Sequence, residues 1–96
     1  MREIEKSSAF KKDFKRIYAN PIHRKDIERL LLTAIDLLLV DADLPKRLRD
    51  HGLIGDWHGH RECHIKPDVL LIYKKPDLKI LRLARLGSHS DLFDPN

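Results

Sequence analysis

The chain has 96 residues, of which 42% are hydrophobic and 35% are charged, and its formal net charge is +4. A chain of this length forms one modest core, so we expect residues 1–96 to fold as a single domain. The composition excludes a disordered chain, and the longest apolar run, from Leu30 to Val40, is too short and too interrupted to span a membrane. The excess of positive charge favours a polyanionic partner, either nucleic acid or an acidic protein.

Two features of the sequence point to the cytoplasm. The N-terminal segment MREIEKSSAF lacks the apolar core of a signal peptide. Cys63 is the only cysteine, so no internal disulfide can form, as is usual for cytosolic proteins. We therefore expect a cytoplasmic protein.

The first 40 residues predict a strand followed by two helices. Residues 2–5 alternate charged and apolar side chains, which is typical of a short strand. An amphipathic basic helix follows, with Ser7 or Ser8 as its cap and Asn20-Pro21 at its end. A second helix is predicted from His23 to Val40. The short connection predicts an antiparallel helical hairpin that covers one face of a sheet.

The second half of the chain predicts an antiparallel sheet. Residues 41–60 are polar and irregular, and then three strand-like runs are separated by Pro67-Asp68 and Pro76-Asp77. The predicted strands are His60–Lys66, Val69–Lys75 and Leu78–Leu86, followed by a tail from Gly87 to Asn96. The element order predicts an α+β fold with an N-terminal strand, a two-helix antiparallel hairpin and then an antiparallel sheet.

Histidines are the first candidates for chemistry, because their unperturbed pKa lies closest to neutrality. A single histidine is more often a surface residue than a catalytic one. Structural zinc requires paired Cys and His ligands, and this chain has one cysteine and no such pair, so we expect neither a metal nor another cofactor. Five of the six histidines lie in the second half of the chain: His51, His58, His60, His64 and His89.

Strand alternation sharpens the choice among them. Along Arg61–Lys66, side chains point alternately to opposite faces of the sheet. Cys63 and Ile65 should face the helices, whereas Glu62, His64 and Lys66 should share the other, exposed face. An acid, a histidine and a cation on one exposed face suit phosphodiester chemistry.

Cations that could hold phosphate are spread over the chain. The lysines of the first helix are expected to be a solvated face. Arginines are better candidates because a guanidinium group binds phosphate oxygens through two hydrogen bonds. They are Arg47, Arg49, Arg61, Arg82 and Arg85.

Four segments in this order resemble the YafQ toxins of the RelE/ParE superfamily. They are DHGL at 50–53, GDWHGHRECH at 55–64, KPDVLLIY at 66–73 and RLGSHSDLF at 85–93. The resemblance runs in register from about Leu48 to Phe93, and the preceding strand and helices agree in layout only. It implies the RelE-like order β-α-α-β-β-β.

The resemblance also implies a ribosome-dependent endoribonuclease that cuts messenger RNA in the decoding site. In that family the 2′-hydroxyl attacks the adjacent phosphate without a metal. Two residues depart from the best-known member: Glu62 replaces an aspartate, and Val69 replaces a tryptophan that could stack on RNA. By position, the family's catalytic residues fall on His51, Glu62, His64, Asp68 and His89, and its tail aromatic on Phe93, with Arg61, Lys66 and Arg85 as further candidates for substrate binding.

A toxin of this kind implies an acidic, DinJ-like antitoxin in a hetero-oligomeric complex, besides the ribosome with its messenger RNA, and no membrane. Two other readings stay open: a ParE-like toxin that poisons DNA gyrase, and a non-catalytic domain that binds RNA or an antitoxin on the same scaffold. A metal-dependent hydrolase ranks last. The histidine–acid cluster favours the ribonuclease over the gyrase poison and over the non-catalytic domain.

Overall fold

A computed structural model describes residues 1–93, and residues 94–96 of the predicted tail lie outside it. The α+β fold predicted from the sequence is confirmed. Its strands are β1 (Glu3–Lys6), β2 (His51–Gly52), β3 (Arg61–Lys66), β4 (Val69–Lys74) and β5 (Ile80–Gly87). Its helices are α1 (Ser8–Ala19), α2 (Pro21–Arg24), α3 (Ile27–Leu39) and α4 (His89–Phe93), with short 3₁₀ turns at Lys46–Leu48 and Gly55–Trp57.

The five strands form one sheet in the order β1-β5-β4-β3-β2. Strands β3, β4 and β5 form the antiparallel meander that the two Pro-Asp turns predict. β1 adds to the edge of β5 in parallel, with Glu3 opposite Ile80. The two-residue strand β2 pairs antiparallel with β3 inside the segment expected to be irregular.

Helix α1 begins where the sequence predicts. The Ser7 hydroxyl accepts a hydrogen bond from the Phe10 amide at 2.9 Å and donates one to the Ala84 carbonyl at 2.6 Å. The cap therefore also ties the start of α1 to β5. The apolar face of the helix is buried against the sheet through Phe10 and Ile17.

The single second helix predicted from His23 to Val40 is wrong, because the structure has two helices there. Asn20 caps the one-turn α2 by accepting a hydrogen bond from the Ile22 amide at 3.0 Å. Asp26 then leaves helical geometry, with φ of −136°, and its carboxylate accepts a hydrogen bond from Lys66 Nζ at 3.0 Å. This contact with β3 favours a break that helical periodicity alone does not reveal.

A buried carboxylate joins α1 to β5. Asp13 accepts hydrogen bonds from Arg85 Nε at 2.7 Å and Nη2 at 3.1 Å, and from the Leu86 amide at 3.0 Å. Arg16 donates a further one at 3.2 Å. Burial alone would raise the pKa of Asp13, but these donors, Arg85 first, outweigh it and lower the pKa.

The two faces of the sheet carry separate apolar clusters. The helix-side core joins α1 and α3 to the sheet through residues that include Phe10, Ile27, Leu31, Cys63 and Leu86. On the opposite face, Leu53, Trp57 and Phe93 pack against the buried cluster of Leu70, Ile72, Ala84 and Leu92. None of the helices within residues 1–93 is long and apolar enough to cross a membrane.

Candidate active site

The pairing of β2 with β3 sets His51 directly opposite Glu62. His51 Nε2 lies 3.0 Å from Glu62 Oε2, and His51 Nδ1 lies 2.7 Å from the Arg49 carbonyl oxygen. Both ring nitrogens of His51 therefore contact protein oxygens, and the ring is held against a buried acid.

Glu62 lies on the predicted face but is only 5% exposed, so its predicted exposure is wrong. The residues that follow β2 fold back over this face, and Leu53 and Trp57 pack beside it. Glu62 Oε1 is buried without a hydrogen-bond partner among residues 1–93. Glu62 therefore contacts His51 and is largely covered from solvent.

The backbone before β2 aims the His51 ring. Arg49 adopts the left-handed region, with φ of 50° and ψ of 44°, and this conformation turns its carbonyl onto His51 Nδ1. Asp50 is fixed by the Tyr73 hydroxyl and by two Arg61 nitrogens at 3.3 Å. Burial and the neighbouring Asp50 raise the pKa of Tyr73, so its hydroxyl stays a donor.

His64 stands two residues along β3 on the same face as Glu62. Its neighbours across the sheet are Leu70 on β4 and then Gly87 on β5. At a strand spacing of about 4.8 Å, His64 and Gly87 lie about 10 Å apart. His89 follows Gly87 by two residues, so the topology brings both histidines to one end of the sheet.

His64 also lines an open groove of about 510 Å³ between β3 and the 3₁₀ turn at Lys46–Leu48. Neither ring nitrogen of His64 has a hydrogen-bond partner within the described chain, so the ring is free to exchange a proton with a ligand. The other residues that line the groove are Leu30, Arg47, Leu48, Arg49, Ile65, Lys66 and Pro67.

The prediction that Lys66 shares the face of Glu62 and His64 is wrong. The register of β3 against β4 shifts between His64 and Lys66, so Ile65 forms a bulge. A bulge inserts one extra residue and reverses the alternation beyond it. Lys66 therefore sits opposite Val69 of the helix-side core and forms an ion pair with Asp26 at 3.0 Å.

His89 opens α4 and is exposed. Its ring lies against Phe93, with 4.8 Å between the centroids. Phe93 is half-buried and packs on the cluster of the opposite face. The pair thus closes the end of the sheet that carries His64.

Asp68 lies at the same end, in the turn between β3 and β4. Its carboxylate is 66% exposed and lies 3.7 Å from His23 Nε2. It lines a cavity of about 260 Å³ together with Ser88, the neighbour of His89. Asp68 is therefore near the start of α4, where His89 lies, and it forms no ion pair with His51.

The arginines divide into engaged and open groups. Arg61 and Arg85 are bound by Asp50 and Asp13, and these carboxylates raise the pKa of both. Within residues 1–93 no carboxylate forms an ion pair with Arg47 or Arg49, which line the groove beside His64. The sequence places them among five candidates but gives no signal that separates these two from the rest.

The surroundings of His60 and Cys63 indicate structural roles for both. Burial, with the nearby Lys74, lowers the pKa of His60, whose ring packs edge-on against Trp57. Burial raises the pKa of the Cys63 thiol to about 12, so it stays protonated near neutrality. Among the described residues, no three His, Cys, Asp or Glu side chains are grouped so that they could hold a metal ion.

Comparison with known proteins places this chain in a class. A family model described as the bacterial toxin of type II toxin–antitoxin systems, YafQ, matches residues 2–94. The mRNA interferase toxin YafQ of Escherichia coli K12 is 41% identical over 92 residues, which cover 96% of each chain.

Solved structures agree over nearly the whole chain. YafQ in the crystal structure of the E. coli DinJ–YafQ toxin–antitoxin complex superposes with a TM-score of 0.81 at 38% identity, covering 96% of this chain and 97% of the relative. A copper-bound mutant toxin from Helicobacter pylori gives a TM-score of 0.88 at 40% identity, covering 97% and 100%. The class is therefore that of toxins from type II toxin–antitoxin systems. Within this class, the chain belongs to the YafQ family.

Proposed function

We propose that this toxin is a cytoplasmic endoribonuclease that cleaves messenger RNA on the ribosome by metal-independent acid–base chemistry. The observation that carries the proposal is the 3.0 Å contact of His51 with the buried Glu62, on the same face as the unengaged ring of His64. The name of the E. coli relative, an mRNA interferase, supports the substrate class.

The reaction requires one group to take a proton and another to give one. His64 accepts the proton of the 2′-hydroxyl, because its ring nitrogens are not engaged by the described part of the protein. The 2′-oxygen then attacks the adjacent phosphorus, and the bond from phosphorus to the 5′-oxygen breaks. His89 gives its proton to that leaving oxygen, so the products are a 2′,3′-cyclic phosphate and a 5′-hydroxyl.

Negative charge on the phosphate increases as the 2′-oxygen attacks, and fixed cations stabilise it. His51 supplies one such cation whenever its ring is protonated. Arg47 and Arg49 supply two more from the groove, and they are better placed than Arg61 and Arg85, whose guanidinium groups are bound by carboxylates. Phe93 offers a ring edge for a base, and Asp68 orients the substrate beside the His89 turn.

Replacing His89 tests the proposed acid. A positioned general acid contributes about 10²- to 10⁴-fold to a rate, so His89→Ala should lose that much cleavage and keep its fold, because His89 is exposed. Primer extension on a defined messenger in a purified translation system measures the loss, with and without a chelator that binds transition metals and leaves the Mg²⁺ of the ribosome in place. Ser90→Ala is a matched control, since Ser90 is an exposed neighbour on α4.

Cuts by wild type that persist in chelator and vanish with His89→Ala would support a metal-independent ribonuclease. A folded His89→Ala protein with full activity would remove His89 from the mechanism. Absence of any cut by folded wild type would instead favour a gyrase poison or a non-catalytic binder, and a DNA supercoiling assay would separate these two.

We also propose an acidic antitoxin as the partner of this toxin, as expected for a basic chain of a type II pair. The solved complex of E. coli YafQ with DinJ supports the existence of such a partner. Co-purification with the product of the adjacent reading frame would test it. A toxin that stays monomeric in the presence of that product would contradict it.

A further inference from the structure

His23, on the one-turn helix α2, lies at the end of the sheet that carries Asp68. Its side chain is only 12% exposed, and its Nε2 lies 3.7 Å from Asp68 Oδ2. Both side chains line the cavity of about 260 Å³ that Ser88, the neighbour of His89, also lines. Nothing in the sequence indicates a role for His23, which is the one histidine in the first half of the chain.

The backbone around His23 is fixed at both ends of α2. The Asn20 side chain accepts a hydrogen bond from the Ile22 amide at 3.0 Å, and the Asn20 carbonyl accepts one from the His23 amide at 3.0 Å. At the other end, Asp26 forms an ion pair with Lys66 of β3 at 3.0 Å. Lys66 directly precedes the turn that contains Asp68, so this ion pair holds the segment of His23 beside that turn.

The buried side of the His23 ring decides where its proton lies. Nδ1 is buried and has no hydrogen-bond partner among residues 1–93. A neutral ring with its proton on Nδ1 would have a buried donor without an acceptor, and it would turn the lone pair of Nε2 toward the Asp68 carboxylate. A neutral ring therefore carries its proton on Nε2, and a doubly protonated ring carries one there as well. In both states an N–H group faces Asp68.

The Asp68 carboxylate depends on this contact for a fixed orientation. It is 66% exposed and forms no hydrogen bond within the described part of the chain. The other carboxylate of the cavity, that of Asp91, is paired with Arg16 at 3.4 Å and does not compete for His23. At 3.7 Å the contact between His23 Nε2 and Asp68 Oδ2 is longer than a hydrogen bond, so its attraction is electrostatic.

We propose that His23 is a positioning residue that orients the Asp68 carboxylate toward the substrate. The proposal rests on the proposed function, in which Asp68 orients the substrate beside the His89 turn. His23 does not contact the substrate itself, because its ring is largely buried. Its effect on cleavage should therefore pass through Asp68.

Nuclear magnetic resonance of the whole toxin with isotopically labelled histidine tests the contact without any measurement of activity. The nitrogen chemical shifts should place a proton on His23 Nε2, and Asp68→Asn should change the Nε2 shift because it removes the negative charge. The shifts of His58, which is exposed and does not line the cavity, should stay unchanged. A neutral His23 ring with its proton on Nδ1, or an Nε2 shift that Asp68→Asn does not change, would overturn the proposal.

Two substitutions of His23 separate the orientation of Asp68 from packing. His23→Leu removes the N–H group and should lower the rate of messenger RNA cleavage about two- to fivefold, the range expected for a partly exposed ion pair. His23→Gln carries an amide N–H group near the position of Nε2, so it should restore most of the rate. Ile22→Ala changes an exposed neighbour on α2 and should match wild type. Chemical denaturation of each variant checks that it is folded.

A double variant tests whether His23 acts through Asp68. His23→Leu/Asp68→Asn should cleave at the rate of Asp68→Asn alone. A folded His23→Leu protein with full activity, equal losses in His23→Leu and His23→Gln, or a combined loss equal to the product of the single losses would overturn the positioning role. Wild-type toxin that makes no cut would instead contradict the proposed function, and the nitrogen shifts would still decide the contact between His23 and Asp68.

Discussion

The chemistry of His51 is decided by two oxygen atoms. The Arg49 carbonyl and the Glu62 carboxylate take both ring nitrogens, and the left-handed backbone of Arg49 is what brings the first of them into place. A single sequence offers no pattern for either contact, because one depends on a backbone torsion and the other on strand register. Family resemblance points to His51 and to Glu62 but not to the contact between them.

Because Glu62 acts through His51, changing either residue should remove the same effect. Glu62→Gln keeps the size of the side chain but neutralises it, and we expect a loss of cleavage of about tenfold to hundredfold. In a double-mutant cycle, Glu62→Gln/His51→Gln should be little worse than His51→Gln alone. If the loss of cleavage in the double variant equals the product of the losses in the two single variants, the two residues act independently.

The position of Val69 bears on RNA stacking. The sequence has valine where the best-known relative has tryptophan, which suggests a changed aromatic surface for RNA. Val69 is only 1% exposed and belongs to the helix-side core, so it offers RNA no surface. Phe93 is the aromatic residue near His89 that is left for such a contact.

At the scale of elements, the periodicity of apolar residues predicts helices and strands that follow a regular pattern. It fails where a contact with a residue distant in sequence interrupts that pattern. The helix α1, the meander β3-β4-β5 and the helix-facing side of Cys63 and Ile65 are all confirmed. The bulge at Ile65 and the break before α3 are not visible in the sequence. The ion pair between Lys66 and Asp26 joins these two irregularities.

The hydrogen bonds that Asp13 of α1 accepts from Arg85 and Leu86 predict how the free energy of unfolding depends on Asp13 and on pH. Asp13→Ala leaves the Arg85 guanidinium without its buried partner, so the free energy of unfolding near pH 7 should fall by about 3 kcal/mol. Chemical denaturation of Asp13→Ala and of the exposed-site control Asp36→Ala measures the difference.

The pKa of Asp13 is lower in the folded protein than its ordinary value of 3.8, so the folded state binds fewer protons there than the unfolded state. The stabilisation is therefore complete above pH 3.8 and is lost as pH falls through the folded pKa. The difference in the free energy of unfolding between wild type and Asp13→Ala should therefore become smaller in that pH range. If this difference in the free energy of unfolding stays constant as pH falls, the ionised carboxylate of Asp13 has no stabilising role.

At the scale of the whole molecule, the sheet separates the helices from the candidate active site. One face carries α1 and α3, and the other carries Glu62 and His64. An antitoxin that contacted only the helical face would leave the active-site face open. Inhibition would then require a further antitoxin segment to reach that face.

The most direct test of the proposed function replaces ribose with 2′-deoxyribose along the decoding codon of a ribosome-bound messenger. Attack by the 2′-hydroxyl predicts that the all-ribose messenger is cut to a 2′,3′-cyclic phosphate and a 5′-hydroxyl, and that a deoxy substitution at the scissile nucleotide abolishes the cut. Undiminished cleavage of the deoxy messengers, or products with a 5′-phosphate, would contradict the mechanism proposed for His64 and His89.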